Sequence, residues 1–129
     1  IRRVTRAISK AAGRGGKIAV FGVAFKGGVD DVRNSPSLRI IHGLAAAGHP
    51  VAAYDPRVKR LNGLTLESRP TAAAQGAKVI AILTNDASFR ELAWHKLART
   101  GAIIYDAHGV VPPSAVTGKG LIRLGGAFR

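Results

Sequence analysis

Apolar residues along this chain fall into two alternating kinds of run. The first kind is short and nearly unbroken. Residues 17–25 (KIAVFGVAF), 50–54 (PVAAY), 78–83 (KVIAIL) and 102–105 (AIIY) are each strand-sized. Continuous apolar character of this sort suits a parallel sheet that is covered on both faces. The second kind has helical spacing. Ser35 and Pro36 read as an N-cap and a first helical residue, Leu38, Ile41, Leu44 and Ala45 as an apolar stripe, and Gly48 as the C′ residue that ends it. A short helix is expected over 71–76. Another is expected over 87–98, capped by Thr84-Asn85-Asp86 and carrying Phe89, Leu92, Trp94 and Leu97. Residues 1–13 also predict a helix. Ile1, Val4, Ile8 and Ala11 or Ala12 share one face, while Arg2, Arg3, Arg6 and Lys10 lie elsewhere. So small a stripe needs a partner: a second copy, helix upstream of Ile1, or this domain's own edge. A partner outside the chain is the favoured expectation.

Strands and helices alternate, which means an α/β fold. The expectation is a Rossmann-like three-layer sandwich with an open, mostly parallel sheet of about five strands and a preceding N-terminal helix. The segment 17–54 is a βαβ unit whose crossover should be right-handed. Residues 57–69 read as irregular and basic. A loop with Pro112-Pro113 follows Asp106, and 120–124 supply the fifth strand. The division expected is a basic helix over 1–13, the end of a longer linker, and an α/β domain over 14–129.

The totals narrow the class. The chain has 129 residues, 47% hydrophobic, which suits one folded domain. No apolar run reaches the roughly 20 residues that would span a bilayer. Residues 1–16 are basic and carry no h-region, so there is no signal-peptide pattern. The absence of Met suggests a start inside a longer protein, and a cytoplasmic setting is expected. With no Cys, the chain holds no disulfide, thiolate metal site or cysteine nucleophile. The net charge of +13 invites a nucleic-acid reading. Against it, the basic residues are dispersed apart from Arg2, Arg3, Arg6, Lys10, Arg14 and Lys17, and no aromatic residue interleaves with that cluster as a base-stacking surface requires. Neither nucleic acid nor membrane is the expected partner.

In an open α/β sheet, ligands bind beyond the carboxyl ends of the strands. Four segments should meet there: 25–35, Asp55-Pro56, Thr84 to Asp86, and Asp106 to Gly109. The first, FKGGVDDVRNS, is unusually charged for a connection. Lys26 directly follows the strand, and the helix starting near Pro36 aims free N–H groups at the same edge. Together these can make a phosphate site. Gly27-Gly28 allows a close backbone approach or a sharp turn. The alternative is a solvated loop ending in a Ser-Pro cap, and the residues alone leave both open. The dinucleotide fingerprint G-x-G-x-x-G does not follow the first strand, and no P-loop occurs. Asp55 stands where an acidic ribose ligand would, though Asp-Pro is also a common strand-ending turn. His42, His49, His95 and His108 show no metal spacing, and only His108 falls on the ligand edge. Ser35, Ser88 and Ser114 have no visible base partner, so no nucleophile–base pair is apparent.

As a pattern, GVAFKGGVDDVRNSPSLRIIHGLAAAGHPVAAYDP resembles the start of the C-terminal, UDP-binding domain of the UDP-glucose/GDP-mannose dehydrogenase family, whose motif has the form G-x-A-F-K-x-x-T-x-D-x-R-x-S-P, then a helix, a strand and D-P. AKVIAILTNDASFRELAW resembles that family's next strand, Thr turn and Phe-containing helix, and IIYDAHGVV its closing strand and loop. The resemblance runs from about residue 14 to residue 112; its first segment is specific, and the others persuade by their order.

The resemblance implies an NAD-dependent enzyme that oxidises the C6 alcohol of a nucleotide sugar to a carboxylate. It implies that the catalytic cysteine, the NAD fingerprint and most sugar contacts lie in N-terminal and central segments that are not in this chain. No cofactor is then expected on this domain. Its share is to bind UDP or a UDP-sugar: Phe25 packs near the nucleotide, Lys26 contacts it, and Asp31 with Arg33 braces the loop, supported by Ser35. Two positions depart from the family pattern. Val29 replaces a Thr. His108 replaces an Arg that contacts the nucleotide sugar across a subunit boundary, so a homodimer is a candidate partner; His lacks Arg's permanent charge and fork. The alternative is a free-standing binding or assembly module without enzyme activity. The gene region upstream of Ile1 separates the two. A third reading is NAD binding by this domain through Asp55.

Overall fold

In this computed structural model, residues 1–28, 30–61, 63–97, 101–116 and 120–123 are described. Val29 and the expected ends of two elements, Ala98 and Leu124, lie outside them.

The chain opens with α1 (Arg2–Ala12), and β1 (Ile18–Phe21), α2 (Pro36–Ala46) and β2 (Val51–Tyr54) follow it. Next come β3 (Leu66–Glu67), α3 (Pro70–Ala74) and β4 (Val79–Ile82). The rest comprises a 3-10 helix at Ala87–Glu91, α4 (Trp94–Leu97), β5 (Ile103–Asp106), a 3-10 turn at Pro113–Ala115 and β6 (Leu121–Arg123). The strands form one sheet of 6 in the order β3-β2-β1-β4-β5-β6, and every neighbouring pair is parallel. This is the doubly wound order, with its switch point between β1 and β4.

The core has two layers because strand side chains alternate between faces. From β1, Ile18 and Val20 enter the layer under α1 and α2, and Ala19 and Phe21 enter the opposite one. β4 does the same, with Val79 and Ala81 on the first side and Ile80 and Ile82 on the second. Phe21 packs edge-on against Tyr54 at 5.5 Å between ring centroids and lies 5.8 Å from Trp94. Complete burial of a side chain such as Phe21 is worth about 1.5–3 kcal/mol.

The expected sheet gains a strand. The segment read as irregular contributes β3, whose Leu66 pairs with Ala53. Only two residues pair, too few for period-two alternation to register in the sequence. The helix expected over 87–98 is instead broken in two. The Trp94 indole N–H donates to the Phe89 carbonyl at 2.7 Å, and Leu92 between them is extended. That detour buries Phe89, Trp94 and Leu97 together. α2 ends as expected: Gly48 has φ 93, its amide donates to Ala45 and the His49 amide donates to Leu44.

α1 finds its partner within the chain, which corrects the favoured expectation of one outside it. Val4, Ile8 and Ala12 are buried in the same layer as Ile41, Leu44 and Val20. His49, expected to be a plain turn residue, anchors this packing. Its Nδ1–H donates to the Gly16 carbonyl at 2.9 Å, and its Nε2 accepts from the Ser9 hydroxyl at 2.7 Å. Ile1 alone of the stripe stays exposed. No described helix is long and apolar enough to cross a membrane.

Candidate functional site

The carboxyl ends of β1, β2, β4 and β5 carry the four segments that the sequence brings to one edge. Each is fixed there by a carboxylate that collects backbone donors or by a hydroxyl that donates to a backbone carbonyl. Beyond β1 the chain leaves the sheet, and the Asp55 carboxylate takes up the freed amides: its Oδ2 accepts from Val23 at 2.8 Å and Ala24 at 3.1 Å. The other oxygen, Oδ1, accepts from the Arg57 amide at 2.8 Å. Asp55 is buried.

Ser35 is also buried and holds the expected N-cap position of α2, but its hydroxyl makes no capping hydrogen bond. Its hydroxyl donates back to the Val23 carbonyl at 2.7 Å. The residue thus sits at the start of α2 as expected, while its hydroxyl ties the two ends of the loop together. Pro36 at the first helical position removes one amide that a cap would have to satisfy. Within the loop, the Phe25 amide donates to the Asp31 carbonyl. Asp31 and Arg33 form the expected ion pair, with Arg33 Nη2 to Asp31 Oδ2 at 3.0 Å and Nε to Oδ1 at 3.1 Å. The side-chain hydrogen bond to Arg33 holds the Asp31 carboxyl below its ordinary value, and the same bond raises the Arg33 guanidinium. Both side chains are substantially exposed, so the pair shapes the loop locally. Phe25 is 51% exposed and Lys26 is exposed. β1 stops at Phe21, short of the expected Phe25, so an apolar ring and an ammonium project from the loop beyond it.

Asp86 joins the segments. Its Oδ1 accepts from the Ser88 amide at 3.0 Å and the Ser88 hydroxyl at 2.8 Å, the N-cap role expected from Thr84-Asn85-Asp86. Its Oδ2 accepts from the Gly28 amide at 3.2 Å and from Arg57 Nε at 3.1 Å. Burial by itself would raise this carboxyl, but the Ser88, Arg57 and Gly28 donors together outweigh it and hold the group below its ordinary value. The folded state therefore prefers the carboxylate. Its stabilisation is full above the unfolded aspartate range near pH ~4 and fades as pH falls through the folded value. In urea titrations, the stability gap between the parent and Asp86→Asn should be widest near neutrality and shrink on acidification below about pH 4. A gap unchanged across that range would show that the carboxylate charge does not hold the loop.

Two glycines make the close fit possible. A Cβ on Gly22 would lie 2.1 Å from the Thr84 hydroxyl oxygen. A Cβ on Gly27 would meet the Asn85 side chain and the Asp86 amide, each at 2.5 Å. The backbone approach allowed by Gly27 is thus made to the turn after β4. The same contacts test the dinucleotide reading. The fingerprint glycines serve to let a pyrophosphate reach the backbone, whereas the open face of Gly22 is filled by Thr84. Both oxygens of Asp55 are engaged by backbone amides. Neither group that the dinucleotide reading needs is therefore open.

On β5 the fully buried Asp106 accepts from three amides: His108 at 3.3 Å and Val110 at 3.1 Å on Oδ1, and Val111 at 2.9 Å on Oδ2. His108 is half-buried at the expected edge. Its Nε2–H donates to the Leu83 carbonyl at 3.0 Å, which bridges the ends of β5 and β4. No group of three metal-ligating side chains occurs among the described residues.

Sequence reasoning placed Phe25, Lys26, Asp31, Arg33, Ser35 and His108 on this edge, and the fold brings them there. It missed Arg57, and it did not foresee that Asp86 and Asp106 each hold a loop. The available signal was an aspartate at or just past the ends of β2, β4 and β5, a repetition that becomes meaningful only once the strands are aligned.

Comparison with known proteins points the same way. Residues 19–113 match the model of the UDP-glucose/GDP-mannose dehydrogenase family, UDP binding domain. The chain is 37% identical over 107 residues to a UDP-glucose 6-dehydrogenase of Rhizobium meliloti (strain 1021), covering 77% of this chain and 24% of that protein. It is 33% identical over 110 residues to a UDP-N-acetyl-D-mannosamine dehydrogenase of Pyrococcus horikoshii, covering 82% of this chain and 25% of that protein. In structure, it resembles an NDP-N-acetyl-D-galactosaminuronic acid dehydrogenase from Methanosarcina mazei Go1 with a TM-score of 0.80 at 25% identity, over 95% of this chain and 27% of that one. The chain spans about a quarter of the length of the relatives it matches. It belongs to the UDP-glucose/GDP-mannose dehydrogenase family, and the part it represents is the UDP binding domain.

Proposed function

We propose that this chain is the nucleotide-binding portion of an NAD-dependent nucleotide-sugar 6-dehydrogenase, taking UDP or a UDP-sugar at the β1–β4 edge. The observation that carries this reading is the loop from Phe25 to Ser35. Asp55, Ser35 and Asp86 tie it to three strand ends, and its exposed tip carries Lys26. In this reading Lys26 meets a phosphate, Phe25 packs beside the nucleotide, and Asp31 with Arg33 shapes the tip. The chain itself has no cysteine, so in this reading a cysteine nucleophile belongs to another part of the enzyme, and the NAD site is assigned there with it.

His108 has a narrower role than the family's Arg in this proposal. Its Nε2–H is committed to Leu83, so it aligns the two strand ends and does not supply a fork to the ligand. Oxidation at C6, service in polysaccharide synthesis, a cytoplasmic setting and pairing with a second copy are properties proposed for the whole enzyme.

A thermal-shift panel of UDP, GDP, UDP-sugars and NAD tests the reading. UDP or a UDP-sugar should raise the unfolding temperature more than NAD does, because ligand binding to the folded state alone stabilises it. A shift with NAD and none with any UDP compound would sink the proposal.

A further inference from the structure

Arg57 is the feature of this edge that the nucleotide reading leaves unused. It follows β2 in a segment whose sequence promised only dispersed basic charge. Its Nε donates to Asp86 Oδ2, and its side chain is 49% exposed against 3% for Asp86. This contact pins one edge of the guanidinium to a buried anchor. Its two Nη groups have no hydrogen-bond or ion-pair partner among the described residues. The Asp86 oxygen that holds Arg57 also accepts the Gly28 amide, two residues from Lys26. A single carboxylate oxygen therefore sets both the loop bearing one unpaired cation and the position of a second.

The anchor is saturated by its donors. Asp86 receives Ser88 twice, Gly28 and Arg57, which fills both oxygens. It orients the guanidinium, and both its oxygens face these donors rather than an incoming anion. A guanidinium with its Nε pinned presents the Nη pair as a planar fork, which matches two oxygens of one phosphate. Because the side chain is already held, less conformational entropy is lost when an anion arrives. A nucleoside diphosphate carries more charge than Lys26 alone neutralises.

We propose that Arg57 is a second phosphate-contacting residue of this edge, with Asp86 as its positioning residue, and that the group it takes is a phosphate of the nucleotide's diphosphate. This rests on the nucleotide reading, and the test separates the two. Titration calorimetry of the full chain would use UDP, inorganic pyrophosphate and uridine, with Arg57→Gln, Arg57→Lys, Asp86→Asn and the double variant Arg57→Gln/Asp86→Asn. Arg57→Gln should weaken UDP and pyrophosphate about tenfold, leave uridine unchanged and reduce the salt dependence of binding. Arg57→Lys should recover part of the loss. Asp86→Asn should weaken pyrophosphate in the parent and cost less in the Arg57→Gln background, where only its hold on the Gly28 amide remains to be lost.

Equal affinity of the parent and Arg57→Gln for UDP and pyrophosphate would overturn the assignment and leave the nucleotide reading intact. A loss shared by uridine would place Arg57 on the base or sugar and overturn the phosphate role. Pyrophosphate binding that depends on Arg57, without any UDP binding, would uphold the cation and sink the UDP reading. Binding of neither by the parent would overturn both.

Discussion

Asp106→Ala is expected to destabilise this domain by more than about 3 kcal/mol, because it strands several buried backbone donors at once. The carboxylate is fully buried and serves the amides of His108, Val110 and Val111. Each unsatisfied buried group costs about 1–3 kcal/mol. Such a loss is a large fraction of the 5–15 kcal/mol by which domains are stable. Asp106→Asn is the informative control. Its side-chain oxygen can still serve His108 and Val110, but its NH2 would face the Val111 amide, donor against donor. Its cost should fall between those of the parent and the alanine variant. Urea unfolding, with midpoints compared at constant slope, measures the series. An alanine variant within about 1 kcal/mol of the parent would show that water replaces the carboxylate and that the loop after β5 is not held as described.

Lys26→Ala should weaken binding of a UDP compound by roughly ten- to a hundredfold while leaving the unfolding midpoint in place. The side chain is exposed beyond β1 and no described residue holds it by a hydrogen bond or ion pair, so its removal costs the fold little. A charge-assisted hydrogen bond to phosphate is worth about 1.5–3 kcal/mol, which sets the size of the effect. Arg33→Ala is the contrast. Arg33 was expected to brace the loop with Asp31, yet that pairing is exposed and spans only two residues. Its loss should change the shape of the loop tip, and hence affinity, with little change in stability. Calorimetry alongside thermal unfolding reads both quantities. If Lys26→Ala binds as tightly as the parent, the lysine is only solvated surface, and the site lies elsewhere.

The parts of this molecule that were legible in sequence are those that depend on near neighbours in the chain. Unbroken runs such as IAVF and VIAI announce strands because a doubly covered strand must be apolar on both faces. Gly48 announces the end of α2 because its conformation suits a residue without Cβ. Asp86 announces a cap because its partner, Ser88, is only two residues away. Ser35 was legible only in its position at the N-cap, for the opposite reason. A Ser before a Pro has the signature of a local cap, but its hydroxyl is taken by Val23, 12 residues earlier in the chain. The same holds for the helix expected over 87–98, where the indole of Trp94 competes for the Phe89 carbonyl.

By itself the sequence determined the alternation of strands and helices, the sheet edge at which the four loop segments gather, and the family motif. Each follows from residue type and short spacing, which act before any long-range contact forms. Only the tertiary structure decided what the aspartates do. Asp55 reaches Val23 across 32 positions and Asp86 reaches Gly28 across 58. A carboxylate in a one-dimensional string is equally a ligand for ribose, a cap or a solvated charge. Which it becomes depends on the unsatisfied amides that the aligned strand ends bring within hydrogen-bond reach, because a buried donor must find an acceptor. The partner of α1 was decided in the same way. Its stripe of Val4, Ile8 and Ala12 could have met any apolar surface, and the doubly wound sheet supplied one beside α2.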